Sequence, residues 1–170
     1  MPITLAHTAP ARLDWHGLQR LGSAGPHPLP AKPAPPQPER RVQTKDSDFV
    51  ALQRAYRASG GLERASDLAL RLKGAGRGGY QELARQIVGG QLFSFYWSDS
   101  AWLPAFQIDP PTLVPREASR RVVKELQGVL DGWDMAWWFV NPHADLHGRR
   151  PLDLLGTALP TVMAAARRAA

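Results

Sequence analysis

Two patterns in the sequence have the residue types and spacing of ligand-binding sites. Gly74, Gly76 and Gly79 satisfy the pattern G-x-G-x-x-G, which in dinucleotide-binding proteins follows a strand and opens a helix of a βαβ unit. Here the glycines follow a predicted helix and precede a predicted hairpin, so they indicate a flexible turn between helices. His143 and His147 have the i, i+4 spacing of metal ligands on a helix, but a proline and a glycine flank the pair and no third ligand is near. The histidine pair therefore predicts a surface loop.

The remaining sequence offers little for catalysis. The chain of 170 residues contains no cysteine, which excludes disulfides, thiolate metal sites and cysteine nucleophiles. It also contains neither a G-x-S-x-G motif nor a phosphate-binding loop that ends in Gly-Lys-Ser/Thr. We therefore predict no catalytic residue, no metal and no cofactor, and an enzyme is the least supported functional hypothesis.

A third group of side chains has the chemistry of nucleic-acid recognition. Gln81, Arg85 and Gln86 lie on the less apolar side of a predicted helix, and Arg and Gln side chains can bind guanine and adenine edges in the major groove. Basic residues on neighbouring elements would contact phosphates. The candidate DNA-binding residues are Arg71, Lys73, Arg77, Gln81, Arg85 and Gln86. The alternative is an ordinary solvent-exposed helix face.

The spacing of apolar residues predicts the elements that position these side chains. Helical periodicity predicts three helices, and β-forming residues then predict a hairpin over 92–107 with a turn at Ser98–Ala101. Three short helices followed by a hairpin is the element order of a winged helix-turn-helix unit. The predicted helices span residues 47–59, 62–72 and 80–88.

The charge is unevenly distributed along the chain. The formal net charge is +6 and the isoelectric point is near 10.3. Residues 39–78 carry nine basic and five acidic side chains, whereas residues 79–170 carry nine of each. A basic half joined to a neutral half indicates a polyanion-binding unit beside a packed or protein-binding unit. Solvated arginines on helix faces are the alternative.

The N-terminal residues are rich in alanine and proline from residue 9 to residue 38. Proline removes backbone donors and fixes φ, so we predict a disordered, partly extended arm over residues 1–44 that serves as a linker; docking into an aromatic groove is the alternative. No signal peptide is predicted, and the apolar stretch 154–166 is interrupted by Pro160. We therefore expect a cytoplasmic protein without membrane contact.

The C-terminal part is rich in tryptophan and is predicted to be helical. Five of the six tryptophans lie between Trp97 and Trp138. The segment 135–140 is apolar on every face, and such a helix is either buried or bound to a partner. Dense tryptophan is consistent with a core, and it is also typical of interface hot spots.

Several spaced features of this part resemble a known family. They are Trp102-Leu103-Pro104-Ala105-Phe106-Gln107-Ile108-Asp109, the run Trp137–Pro142, and the loop Leu146-His147-Gly148-Arg149-Arg150-Pro151-Leu152-Asp153-Leu154-Leu155. Together they resemble the toxin-binding domain of Xre/MbcA/ParS-like antitoxins over about residues 102–156. The N-terminal half, by contrast, resembles a degenerate winged helix-turn-helix, and the C-terminal end is shorter than in toxin-bound members.

The resemblance implies a small helical domain that dimerises and binds a cognate toxin, often an NAD-consuming RES-domain protein, beside a DNA-binding half that represses its operon. The partner-binding residues that it implies are Trp137, Trp138, Phe139, Leu146, Gly148, Arg149, Arg150 and Pro151.

These observations lead to a mainly α fold with one β-hairpin (α+β). We expect an arm over residues 1–44, a winged helix-turn-helix-like DNA-binding unit over 45–109 and a helical partner-binding and dimerisation domain over 110–170. The first functional hypothesis is a non-enzymatic, antitoxin-like adaptor that belongs to a toxin–antitoxin, plasmid or accessory module. Such a protein would form a homodimer and would bind a toxin-like protein and double-stranded DNA. The alternative is a stand-alone DNA-binding transcriptional or plasmid-maintenance regulator whose C-terminal half is only a dimerisation core.

Overall fold

The computed structural model describes the backbone of residues 38–170 and the side chains from residue 45 onward, all within one compact unit. It confirms a mainly α fold with a small antiparallel sheet. The helices are α1 (Pro38–Tyr56), α2 (Ala65–Gly74), α3 (Gly79–Val88), α4 (Glu117–Leu126), α5 (Gly132–Val140), α6 (Pro151–Leu154) and α7 (Leu159–Ala169). The strands are β1 (Leu62–Arg64), β2 (Phe95–Trp97) and β3 (Ser100–Pro104), and short 3-10 turns occupy Arg57–Ser59, Ala105–Gln107 and Ala144–Leu146.

Helix α1 begins earlier than the sequence predicts. Residues 38–44 are helical, although they were assigned to the Pro-rich arm. Pro38 stands at the first helical position, where proline is tolerated because its nitrogen would have no partner in the helix. Neither proline nor glycine follows until Gly60, so nothing in the sequence interrupts the helix. The rest of the predicted arm, residues 1–37, lies outside the described residues.

The sheet contains a strand at a position where the sequence predicts a helix. Residues 62–64 form β1, which pairs with β3 so that Glu63 lies opposite Leu103. The prediction of a helix over 62–72 was therefore wrong for its first turn. Gly60 and Gly61 both have positive φ, which turns the chain out of α1, and the neighbouring β3 supplies the hydrogen-bond partners that favour an extended backbone.

The predicted hairpin is present, with a tighter turn. Strands β2 and β3 pair in antiparallel register, with Trp97 opposite Ser100. The loop is the two residues Ser98 and Asp99, which have φ of 46° and 59°. Positive φ at both positions is the geometry of the type I′ turn that fits the twist of a hairpin. We call residues 95–104 the wing.

The element order gives the first part of the chain a recognisable topology. The order along the chain is α1, β1, α2, α3, β2, β3, and the strand order in the sheet is β1-β3-β2. Helices α2 and α3 pack against each other across a glycine-rich turn, as in a helix-turn-helix. Apart from the additional edge strand β1, this is the order of helices and strands that the sequence predicts for a winged helix-turn-helix-like unit.

The two predicted domains share one of two hydrophobic clusters, and the other lies around Leu72, Leu83 and Leu103 of α2, α3 and β3. A single cluster of buried side chains includes Phe49 and Tyr56 of α1 together with Phe139 of α5 and Val162 of α7. The Tyr56 hydroxyl donates a hydrogen bond of 2.7 Å to the Ala136 carbonyl. Residues before and after position 109 are thus packed into the same core.

A buried glutamine and a glycine fix the join between the two parts. Gln107 is fully buried, and its side-chain amide accepts from the Phe93 N–H at 2.9 Å and donates to the Phe93 carbonyl at 3.0 Å. At Gly132, the first residue of α5, a Cβ would lie 2.0 Å from the Ser94 carbonyl oxygen. The first turn of α5 therefore rests directly on the backbone before β2.

Candidate nucleic-acid interface

Helix α3 presents one buried and one exposed face. Leu83 and Gln86 are buried. The exposed side chains of this helix are spaced by one, three and four residues. We call them the outward face of α3: Tyr80, Gln81, Ala84, Arg85 and Val88, all of which are exposed.

Arg85 is held on the outward face by an ion pair. Its guanidinium donates to the Glu82 carboxylate one turn earlier, while its side chain stays 77% exposed. Gln86 donates from its side-chain nitrogen to the other Glu82 oxygen at 2.6 Å. These hydrogen bonds, first from Gln86 and then from Arg85, lower the pKa of Glu82. Only part of the guanidinium is used, so donors remain for a further ligand.

The structure corrects one predicted contact on this helix. Gln86 was predicted to bind a base edge, but it is only 4% exposed and its amide is committed to Glu82. Gln86 lies almost opposite Gln81 and Val88 on the helical wheel and faces the core beside Leu83. It is therefore a positioning residue for the Glu82–Arg85 pair and does not reach solvent.

The predicted phosphate-binding residues differ in their surroundings. Arg71 makes hydrogen bonds of 2.8 and 3.0 Å to the Glu63 carboxylate on β1, so its charge is neutralised locally. Arg77 donates to the Thr112 carbonyl at 2.6 Å and keeps its charge. Lys73 is exposed and makes no ion pair with the residues that the structure describes. Of the three predicted phosphate-binding residues, Lys73 and Arg77 therefore carry a positive charge that no carboxylate among the described residues neutralises.

Lys73 lies close to the start of α3. A Cβ on Gly79, the first residue of α3, would lie 3.3 Å from the Lys73 Cβ. The base of the Lys73 side chain therefore lies beside the first turn of α3, whose free N–H groups favour anions. Gly79 has a φ of 59°, so the tight α2–α3 turn depends on a glycine at that position.

An apolar groove separates α3 from the wing. Its volume is about 350 Å³, and it is lined by Tyr80, Ala84 and Ile87 of α3 and by Tyr96 of β2. Tyr96 is 71% exposed. Asp99 at the wing turn is the acidic residue at the rim of this groove. A carboxylate repels phosphate, so the wing tip is not suited to contact a DNA backbone.

The structure brings most of the implied partner-binding residues into the core. Trp138 and Phe139 pack face to edge, and Phe139 stacks on Phe93 at a centroid distance of 5.6 Å. A helix that is apolar on every face is accommodated here because α1, α6 and the wing pack against α5. The prediction that the buried residues of this set contact a partner was therefore wrong. The buried members of the set are Trp138, Phe139, Leu146 and Pro151.

The other implied partner residues remain accessible. Trp137 is half-buried, whereas Gly148 and Arg149 are exposed in a loop that turns at His147 and Gly148, with φ of 54° and 73°. Arg150 makes two hydrogen bonds of 2.7 Å to Asp153, which raise the pKa of its guanidinium. The accessible part of the predicted partner surface is thus a basic loop.

The two histidines of the possible metal pattern lie in this loop and do not converge on a third ligand. Nε2 of His143 lies 2.9 Å from the Trp138 carbonyl, and Asp145 pairs with Arg168. From residue 45 onward, no group of three or more His, Asp or Glu side chains is placed to hold a metal ion. The helices that the structure describes are too short or too polar to cross a bilayer.

The apolar part of the α3 surface was not predicted from the sequence. Tyr80, Val88 and Tyr96 are exposed, and none of them was predicted to belong to a site. A helical wheel of α3 would have placed Val88 beside Gln81, because both lie opposite Leu83 and Gln86, whereas Tyr80 lies one turn before Leu83 and lines the groove with it. No protein-family model, curated protein or solved structure matches the chain.

Proposed function

We propose that the protein is a non-enzymatic, DNA-binding adaptor of the antitoxin type, which binds duplex DNA through α2 and α3 and a protein partner through its C-terminal helices. The observation that carries the DNA-binding half is the outward face of α3. This face places Gln81 and Arg85 side by side on an exposed helix of a winged helix-turn-helix. Both side chains have the donors and acceptors that base edges in the major groove require.

Two cations beside α3 support the same proposal. Lys73 and Arg77 flank the start of α3 and are not neutralised by a carboxylate among the described residues. In protein–DNA complexes such cations bind phosphates and fix the orientation of the helix in the groove. Arg71 contributes less, because Glu63 neutralises it.

A matched pair of arginine variants tests the DNA contact. We expect Arg85→Ala to weaken binding to a selected duplex by about 1–3 kcal/mol and to relax the preference at one base position. Arg121→Ala, an exposed arginine on α4, is the control and should bind as the unmodified protein does. Fluorescence anisotropy at low ionic strength measures both. Equal affinities for the two variants, or no salt-dependent binding of the unmodified protein to any duplex, would contradict the proposal.

The protein-binding half of the proposal rests on the loop after α5. Gly148 and Arg149 are exposed and Trp137 is half-buried, and all three lie within the segment that resembles a toxin-binding domain. A cognate toxin-like protein, of the RES-domain type in the family, is the proposed partner, and a homodimer is the proposed assembly.

A pull-down from the source cells tests this half. A protein that co-purifies in near-stoichiometric amount after nuclease treatment, and that is lost with Arg149→Ala but not with Arg167→Ala, is the expected result. Recovery of DNA alone favours the second candidate, a stand-alone regulator whose C-terminal helices only complete the core. That candidate is favoured by the burial of Trp138, Phe139, Leu146 and Pro151.

A further inference from the structure

The groove between α3 and the wing has two exposed aromatic rings. Tyr80 of α3 and Tyr96 of β2 both line it, and they are 61% and 71% exposed. Adjacent residues of a strand point to opposite faces of a sheet, so Tyr96 faces α3, whereas Trp97 stacks on Phe49 of α1. Exposed aromatic rings along a groove are typical of sites that bind an extended, proline-rich segment.

The rim of this groove is acidic and leads to the first turns of α1. Asp99 makes no ion pair with a residue that the structure describes. Tyr96 and Asp99 also line a second groove of about 470 Å³, whose other residues include Lys45 and Asp46 of α1. The two grooves therefore form one path from α1 past the wing tip to Tyr80, which we call the wing groove.

The chain contains a segment of matching chemistry shortly before α1. Residues 28–33 read Pro-Leu-Pro-Ala-Lys-Pro, and such a composition favours the polyproline II conformation that aromatic grooves bind. From residue 15 to residue 37 the sequence contains Arg20 and Lys32 but no acidic residue. A carboxylate at the rim attracts such a segment, whereas it repels the phosphates of a nucleic acid.

The length of the connection matches the distance to the wing groove. Helix α1 begins at Pro38, and Lys45 lies about 10 Å further along the helix axis, at about 1.5 Å per residue. Residues 34–37 span about 12 Å in a polyproline II conformation, at about 3.1 Å per residue. A segment on so short a connection has an effective concentration on the order of millimolar, which favours it over a free partner of similar affinity.

We propose that residues 28–33 dock into the wing groove of their own chain, with prolines against the rings of Tyr96 and Tyr80 and the Lys32 ammonium at Asp99. The contact does not depend on the proposed DNA binding, which uses Gln81 and Arg85. The Pro-rich segment is then a ligand of the wing in addition to a linker.

A nitroxide label tests the docking in the full chain. The chain has no cysteine, so Ala24→Cys provides one attachment site beside the proposed segment. A nitroxide weakens the NMR signals of amides that lie near it. We expect weaker signals in residues 80–87 and 96–101 at low ionic strength and unchanged signals in α4.

Three variants of the labelled chain assign the contact. Tyr96→Ala should restore the signals, because the exposed ring is lost. Asp99→Asn keeps a residue that tolerates the positive φ of the turn and should lower the docking equilibrium constant about two- to fivefold, as for an exposed ion pair. Glu125→Gln, at a half-buried site on α4, is the matched control and should leave the signals weak.

The opposite results overturn the proposal at separate points. Weakening confined to residues 45–50 overturns the docking and leaves the segment as a linker. Weakening that remains in Tyr96→Ala overturns the choice of groove, and equal effects of Asp99→Asn and Glu125→Gln overturn the contact with Lys32. If a spin-labelled chain weakens the signals of a second, isotope-labelled chain that carries no nitroxide, the segment docks between copies and the intramolecular contact is overturned.

Discussion

At the scale of single residues, the position of Arg85 depends on a side chain that does not reach solvent. Gln86 donates to one Glu82 oxygen, and Arg85 donates to the other. We expect Gln86→Leu to raise the pKa of Glu82 toward its ordinary value, because the hydrogen bond from Gln86 is the main cause that lowers it. An NMR titration of the Glu82 side-chain carboxyl carbon measures the change. Gln81→Leu, on the exposed side of the same helix, should leave the pKa unchanged; an equal shift in both variants would contradict the assignment.

The buried hydroxyl of Tyr56 gives a second prediction at this scale. We expect Tyr56→Phe to lower the free energy of unfolding by about 1–2 kcal/mol, because the Ala136 carbonyl loses a buried donor. Urea unfolding measures the change. Tyr96→Phe, at an exposed site, should change it by less than about 0.5 kcal/mol. Equal losses of stability in Tyr56→Phe and Tyr96→Phe would contradict a stabilising role of the buried hydrogen bond.

The same residue predicts a pH dependence. Burial raises the pKa of Tyr56 above its ordinary value, so the folded state keeps the phenol proton after the unfolded state has lost it. The stability that this provides is complete below the unfolded pKa of about 10 and is lost as the pH rises above it. Above this pH, the free energy of unfolding should fall more steeply with pH in the unmodified protein than in Tyr56→Phe. The two slopes should differ by up to about 1.4 kcal/mol per pH unit. If the unfolding free energies of the unmodified protein and of Tyr56→Phe fell in parallel with pH, the pH dependence would not come from Tyr56.

At the scale of elements, the seating of α5 on the backbone before β2 depends on the absence of a side chain at Gly132. Gly132→Ala places a Cβ 2.0 Å from the Ser94 carbonyl oxygen, and backbone on both sides must move. We expect a loss of about 1–3 kcal/mol of stability in thermal or urea unfolding. Gly74→Ala in α2 is the matched control, since a Cβ there meets nothing within 4 Å. A neutral Gly132→Ala would show that α5 can shift without cost.

The elements differ in how far their own residues determine them. The wing is predictable, because segments rich in aromatic residues flank a polar turn and pair locally. Strand β1 is not predictable in this way, since its partner β3 lies about forty residues later and a three-residue strand shows no alternation. Gln86 and Trp138 were misplaced for a related reason: side-chain chemistry suggests what a residue can bind, whereas burial depends on neighbours that are distant in sequence.

At the scale of the whole molecule, residues before and after position 109 share a core and should unfold together. Phe49 and Phe139 belong to the same buried cluster. We expect one cooperative transition, with coincident midpoints from far-ultraviolet circular dichroism and from tryptophan fluorescence. Residues 110–170 expressed alone should remain unfolded, because α1 and the segment before β2 complete their core. Two separated transitions would contradict a shared core.

The central claim is that α3 and the turn before it bind duplex DNA. Amide hydrogen exchange of the full chain, measured with and without a saturating duplex, tests this claim most directly because it locates the contact along the chain. We predict slower exchange in residues 71–88 on addition of the duplex and unchanged exchange in α4. Protection confined to the loop 144–150, or no protection at a duplex concentration that saturates anisotropy, would contradict the claim.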